Sequence, residues 1–136
     1  MKLNPYLNFN GDCATAFRFY EKHLGGQIVA MMPYAGSPME KEMPEEFHDK
    51  IMHARLMLGD QALMGSDEIC GDYTAPHGFH IALNPTDPVE AERVFTALAE
   101  NGTVRMPLQE TFWAVRFGML TDQFGIPWMM NCEKAE

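Results

Sequence analysis

Two arginines and two histidines carry the chemistry most easily read from this chain. Arg55, Arg116, His53 and His80 all fall on segments that read as β-strands. Arginine offers a fixed donor fork that matches carboxylate or phosphate, and imidazole changes charge near neutral pH. Strand alternation sorts these side chains by face. In Phe79-His80-Ile81-Ala82-Leu83-Asn84 the bulky Phe79, Ile81 and Leu83 should face a helical layer, leaving His80, Ala82 and Asn84 opposite. Over Ile51–Leu58, Met52, Ala54, Leu56 and Leu58 take the core face and His53, Arg55 and Met57 the other. Over Ala114–Leu120, Val115, Phe117 and Met119 read as core and Arg116 and Gly118 as the opposite face. Matching turns align Arg55 with Arg116, so each half is expected to place one arginine on the face that bears His53 and His80. The competing reading is structural: strand arginines often pair with acids, here Glu110, Asp67 or Glu68, or simply meet solvent.

Other residues add to this set. His80 could pass a proton, although a strand histidine also serves as a hydrogen-bonded structural residue. Glu110, beside Phe112 and Trp113, is the carboxylate that an apolar setting would tune. Trp113 and the methionines could grip an apolar part of a ligand. Cys13 follows a helix cap, but Asp12 beside it opposes thiolate formation, so no nucleophile is assigned. His23, His48 and His77 read as surface or loop residues.

The elements that must position these groups repeat. Asp87-Pro88-Val89-Glu90 signals a helix start, with Asp as N-cap, Pro at the first position and Glu closing a capping box. Ala91, Val94, Phe95 and Leu98 form its apolar stripe, and Asn101-Gly102 stops it. Asp12 is expected to cap Cys13–Leu24, whose stripe is Ala16, Phe19, Tyr20 and Leu24, with Gly25-Gly26 ending it. A shift of 75 residues pairs Asp12 with Asp87, Ala16 with Ala91 and Arg18 with Arg93. Short strands precede the helices (Pro5–Phe9, Phe79–Leu83) and others follow (Gln27–Tyr34, Thr103–Leu108). Hairpin-like pairs come next: Ile51–Leu58 with Gln61–Ser66, and Ala114–Leu120 with Ile126–Cys132. The order is β-α-β-β-β written twice. Residues 35–50 form an insertion, and the stretch near 69–77 a linker.

Composition sets the bounds. With 136 residues, 46% of them hydrophobic and 21% charged, the chain has the profile of one globular domain, not a disordered or coiled-coil protein. A net charge of −9 argues against nucleic acid as partner. The longest apolar run, Ile28–Met32, is far below the roughly 20 residues that span a bilayer, and Met1-Lys2-Leu3-Asn4-Pro5 has no apolar h-region, so no secretory signal is expected. Cys13, Cys70 and Cys132 are too few for a disulfide framework and form no Cys-x-x-Cys, so a reduced, cytoplasmic setting is expected.

Three stretches carry a family resemblance: Pro5-Tyr6-Leu7-Asn8-Phe9, the helical Phe17-Arg18-Phe19-Tyr20, and the tail from Gln109 to Ala114 continued by Thr121-Asp122-Gln123-Phe124-Gly125-Ile126-Pro127-Trp128-Met129. With the doubled unit they resemble the vicinal oxygen chelate superfamily of glyoxalases, bleomycin-resistance proteins and dioxygenases, in its PhnB-like branch. The resemblance implies an α+β fold of two tandem βαβββ modules, about 1–68 and 78–136, each a concave half-closed sheet, within one domain over 1–136. It also implies a homodimer. Most relatives hold a divalent metal through four slots, which fall here on Pro5, Met64, His80 and Met129. Only His80 suits such an ion, because proline has no donor and thioethers bind hard cations poorly. No metal and no other cofactor are therefore expected. The family's methyltransferase-like label finds no glycine-rich dinucleotide turn to support it.

The expected function is binding of a small anionic or amphipathic molecule in the concave cleft by His53, Arg55, Met64, Trp113, Arg116 and Met129. The alternative is a metal-independent lyase, isomerase or transferase using His80 and Glu110 as acid and base.

Overall fold

A computed structural model describes residues 1–69 and 71–135; Cys70 lies outside the described residues. The chain divides into two compact units, residues 1–74 and from 75 onward, with the boundary inside the 69–77 stretch.

The first unit runs β1 (Tyr6–Phe9), α1 (Cys13–Leu24), β2 (Gln27–Pro33), β3 (Ile51–Leu58) and β4 (Gln61–Asp67). Its sheet has the order β1-β4-β3-β2, with β1 parallel to β4 and the other pairs antiparallel. The second unit repeats the pattern as β5 (Ile81–Leu83), α2 (Pro88–Ala99), β6 (Thr103–Gln109), β7 (Ala114–Thr121) and β8 (Pro127–Glu133), in the order β5-β8-β7-β6. The α+β class and the doubled βαβββ module stand as expected.

Each helix covers one face of its own sheet. On α1 the buried residues are Cys13, Ala16, Phe17 and Tyr20, so Phe17 takes the place expected for Phe19. Phe17 meets Phe9 edge-on at 5.9 Å and Tyr20 at 6.1 Å. On α2 Ala91, Val94, Phe95 and Leu98 are buried, as the periodicity predicts. Trp128 and Met130 complete that core at 2% exposure each.

Glycine makes the close approach of helix to sheet possible. A Cβ at Gly65 on β4 would lie 2.8 Å from Phe17 Cε1, and one at Gly118 on β7 would lie 2.8 Å from Phe95 Cε2. Side chains of any size would force the helices off.

Two buried carboxylates tie loops to strands. Asp67, at the end of β4, accepts from the backbone N–H groups of Cys13 (2.9 Å) and Ile51 (2.8 Å). It therefore satisfies the first turn of α1, for which Asp12 makes no side-chain capping bond. At α2, Asp87 does accept from Val89 N at 3.0 Å, whereas Glu90 pairs with Arg93 rather than closing the box. Asp122 accepts from Phe124 N, Ile126 N and Trp128 Nε1, all at 2.8–2.9 Å, and shapes the five-residue β7–β8 turn.

The insertion is drawn together at its neck by backbone bonds from Tyr34 N to Lys50 O and from Ala35 N to His48 O. Two short 3-10 turns, Glu40–Glu42 and Glu45–Phe47, fill it. None of the helices among the described residues is long and apolar enough to cross a membrane.

Candidate functional site

Ladder partners directly opposite each other share a face, so register identifies what each sheet presents away from its helix. In the first unit Tyr6 pairs with Met64, Met64 with Arg55, and Arg55 with Ala30. Ala54 and Leu56 lie on the helix side, fully buried. His53, Arg55 and Met57 are therefore on the open face, where alternation placed them, and Met64 joins them.

Tyr6, not anticipated as a site residue, is the addition that completes this group. Its Oη lies 3.3 Å from His53 Nδ1, and the two rings stack with centroids 5.8 Å apart. It stood in the Pro5–Phe9 stretch, but only the parallel register with β4 brings it over to His53. Beside this pair, Arg55 Nε donates to Met57 Sδ at 3.5 Å. Among the described residues no carboxylate lies within ion-pair distance of Arg55. The half-buried guanidinium thus faces outward with most of its donor fork uncommitted.

The second unit differs. Here the open-face row is Ala82, Met129, Met119 and Met106, paired in that order. Phe117, paired with Asn131, continues it, and Trp113 meets Phe117 edge-on at 5.2 Å. The expected face of β7 is therefore reversed. Gly118 and Leu120 point to α2, and Arg116 goes with them: its Nε donates to Glu92 Oε1 on α2 at 2.8 Å and its Nη1 to Val115 O at 2.6 Å. Arg116 is held in a structural ion pair on the helix side, and the open face of this sheet carries no arginine from β7. Bulk misled the reading, because both faces of β7 are apolar and the small residues mark where the helix packs.

His80 precedes β5, which starts at Ile81, and its Nε2 is buried without a hydrogen-bond partner. Glu110 stays exposed in the loop after β6, out of the apolar setting expected to tune it. Trp113 is 43% exposed and Phe112 88%. His48 Nε2 meets Met43 O, and His23 packs against Phe19, so both are structural. Burial, then the carboxylates of Asp67 and Asp12, push the Cys13 thiol far above its usual range, which fits the absence of a nucleophile there.

The four slots expected for a metal offer poor donors. Met64 and Met129 present thioethers, and Pro5 presents no side-chain donor. Register also shows that Tyr6 and Ala82 are counterparts, both paired to the slot methionines, so the counterpart of His80 is Asn4 and not Pro5. Among the described residues no group of three or more His, Cys, Asp or Glu is placed to hold a metal ion. One imidazole and one amide do not fit a hard divalent cation.

Comparison with known proteins agrees with this architecture. The family model described as Glyoxalase/Bleomycin resistance protein/Dioxygenase superfamily matches residues 2–130. Protein YjdN of Escherichia coli K12 is 35% identical over 100% of this chain and 98% of its own length. The crystal structure of protein PA1353 from Pseudomonas aeruginosa is 50% identical and superposes with a TM-score of 0.88, covering 99% of each chain. A PhnB protein from Bacillus cereus, named there as a 3-demethylubiquinone-9 3-methyltransferase, is 24% identical with a TM-score of 0.81 over 96% of this chain and 98% of its own. At that identity it attests to the fold alone.

Proposed function

This chain belongs to the glyoxalase/bleomycin resistance protein/dioxygenase superfamily, in its PhnB-like branch, and from that premise we propose that it binds a small anionic or amphipathic molecule without a metal. The observation that carries the reading is Arg55: a half-buried guanidinium on an open sheet face with no carboxylate partner among the described residues. A cation in that state is completed by a ligand carboxylate or phosphoryl group, which Arg grips in bidentate fashion. His53 and Tyr6 stand beside it as further polar contacts, and Met64 and Met57 supply adaptable apolar surface. The second unit's own sheet presents Met129 as adaptable apolar surface, with Trp113 against Phe117 beside β7.

Metal independence follows from donor chemistry, since thioethers and one imidazole replace the nitrogen and oxygen sets that hard cations need. Binding is favoured over catalysis because the buried His80 Nε2 meets no partner among the described residues and Glu110 stands exposed, so neither is set up for proton transfer. The protein acts as a cytoplasmic homodimer in this reading.

The test is a thermal-shift screen of small carboxylates, phosphonates and their neutral isosteres, run with and without a chelator. The expected result is stabilisation by anions that the chelator leaves unchanged. Stabilisation only with an added divalent ion would overturn the metal-free reading, and no preference for anions would overturn the ligand class.

A further inference from the structure

The second unit contains a groove of about 580 Å³ where the loop from β5 to α2 meets the start of β7 and the end of β8, within the usual range for small-molecule sites. Asn131 belongs to the open face of β8, Val115 sits at the irregularity that opens β7, Asn84, Pro85, Thr86 and Pro88 form a wall, and Glu133 and Lys134 complete the lining. Asn131 is the informative residue. Its Nδ2 donates to Glu133 Oε1 at 3.3 Å, which fixes the orientation of the amide; reversing it would set oxygen against carboxylate. Its Oδ1 is then an acceptor withdrawn from water with no partner. Asn84 likewise commits one N–H of its Nδ2, to the backbone oxygen of Asn131 at 3.2 Å.

The groove thus presents one unpaired acceptor, Asn131 Oδ1, beside two amides that have each committed one N–H. A buried acceptor left unpaired costs on the order of 1–3 kcal/mol, so a donor that reaches it is strongly selected. Proline and valine side chains offer flat apolar contact next to it. We propose that this groove is a ligand seat for a small flat molecule bearing an N–H donor, an amide or amine, which completes Asn131 Oδ1. This deepens the small-molecule reading above, but rests on different residues from the Arg55 anion site.

Calorimetric titration with benzamide, N,N-dimethylbenzamide and benzylamine tests it. Benzamide or benzylamine should bind at least tenfold more tightly than the dimethylated amide, which has the same ring but no N–H. Whichever of the two binds tighter shows whether the seat prefers a neutral or a charged donor. Asn131→Leu should abolish the preference, and Val115→Trp, which fills the groove, should abolish binding even if the first variant folds poorly. Arg55→Ala should leave these affinities unchanged. Equal binding of benzamide and its dimethyl derivative, no binding of either donor at millimolar concentration, or binding undiminished in Val115→Trp would overturn the proposal. If anions still bind through Arg55 in that event, the proposed function stands and only this seat fails.

Discussion

Arg55 and Met119 occupy the same position in the two sheets. Each sits on the open face of the third strand of its unit, paired on one side to a slot methionine (Met64 or Met129) and on the other to an edge-strand residue (Ala30 or Met106). The duplicated fold has therefore been divided chemically: one half presents a cation, the other a row of thioethers. On the proposed reading, charge discrimination rests on Arg55 in the first unit, and the matching position of the second unit carries a polarizable thioether instead.

Removing the two arginines should accordingly give different phenotypes. Arg55→Ala should lose the preference for anions with the melting temperature little changed. Arg116→Ala removes a partly exposed pair with Glu92 and a bond to Val115 O, so it should cost on the order of 1 kcal/mol and leave anion affinity intact. Thermal melts with and without phenylphosphonate separate the two.

The contrast also shows where the sequence was legible. Both helices, the β3 and β7 starts and the doubled order emerge from capping residues and periodicity, since Asp87-Pro88 and the paired glycines act locally. The face of β7 does not. Alternation has period two, so a slip of one residue inverts every side chain. The β3–β4 turn has two residues and the β7–β8 turn five, and aligning the turns brought Arg116 against Arg55 when the sheets match Met119 to it. Tyr6 was missed for a related reason: its partner His53 is 47 residues away, joined only by the register of β1 on β4. The buried cap from Asp67 to α1 is equally non-local, and so the nearer Asp12 was expected in its place.

Gly118 should tolerate no side chain. A Cβ there meets Phe95 Cε2 at 2.8 Å and backbone atoms of Leu108 and Met106 at 3.0 Å, so there is no flexible neighbour to yield on the sheet side. Gly118→Val should destabilise by about 1–3 kcal/mol or more, the cost of overpacking a core. Chemical denaturation at equilibrium checks this, with Met119→Ala on the opposite face as the milder control.

Asp122 organises more donors than any turn residue nearby. Asp122→Ala leaves two backbone N–H groups and the indole N–H of the buried Trp128 without their acceptor. At about 1–3 kcal/mol for each buried group left unsatisfied, the loss should be among the largest for any single polar substitution. Asp122→Asn should recover part of it, since one oxygen remains. Urea midpoints of the two variants give the comparison.

Cys13 makes stability fall at alkaline pH. In the unfolded chain its thiol ionises near pH 9, whereas in the folded protein burial and the neighbouring carboxylates keep it protonated. Unfolding therefore releases a proton above that pH. The contribution is intact below about pH 9 and is lost progressively as pH rises beyond it. Cys13→Ala should flatten the decline in denaturant midpoint between pH 8 and about 10.5, and the native thiol should resist alkylation until the protein unfolds.

The most direct measurement is a calorimetric cycle: phenylphosphonate against its neutral counterpart benzyl alcohol, each titrated into the natural protein and into Arg55→Ala in the presence of a chelator. A charge-assisted contact predicts that the natural protein prefers the phosphonate and that Arg55→Ala weakens it by about tenfold or more, near 1.4 kcal/mol, while the alcohol is unaffected. Equal affinities for both probes in both proteins, or phosphonate binding that appears only when a divalent metal is restored, would contradict the account.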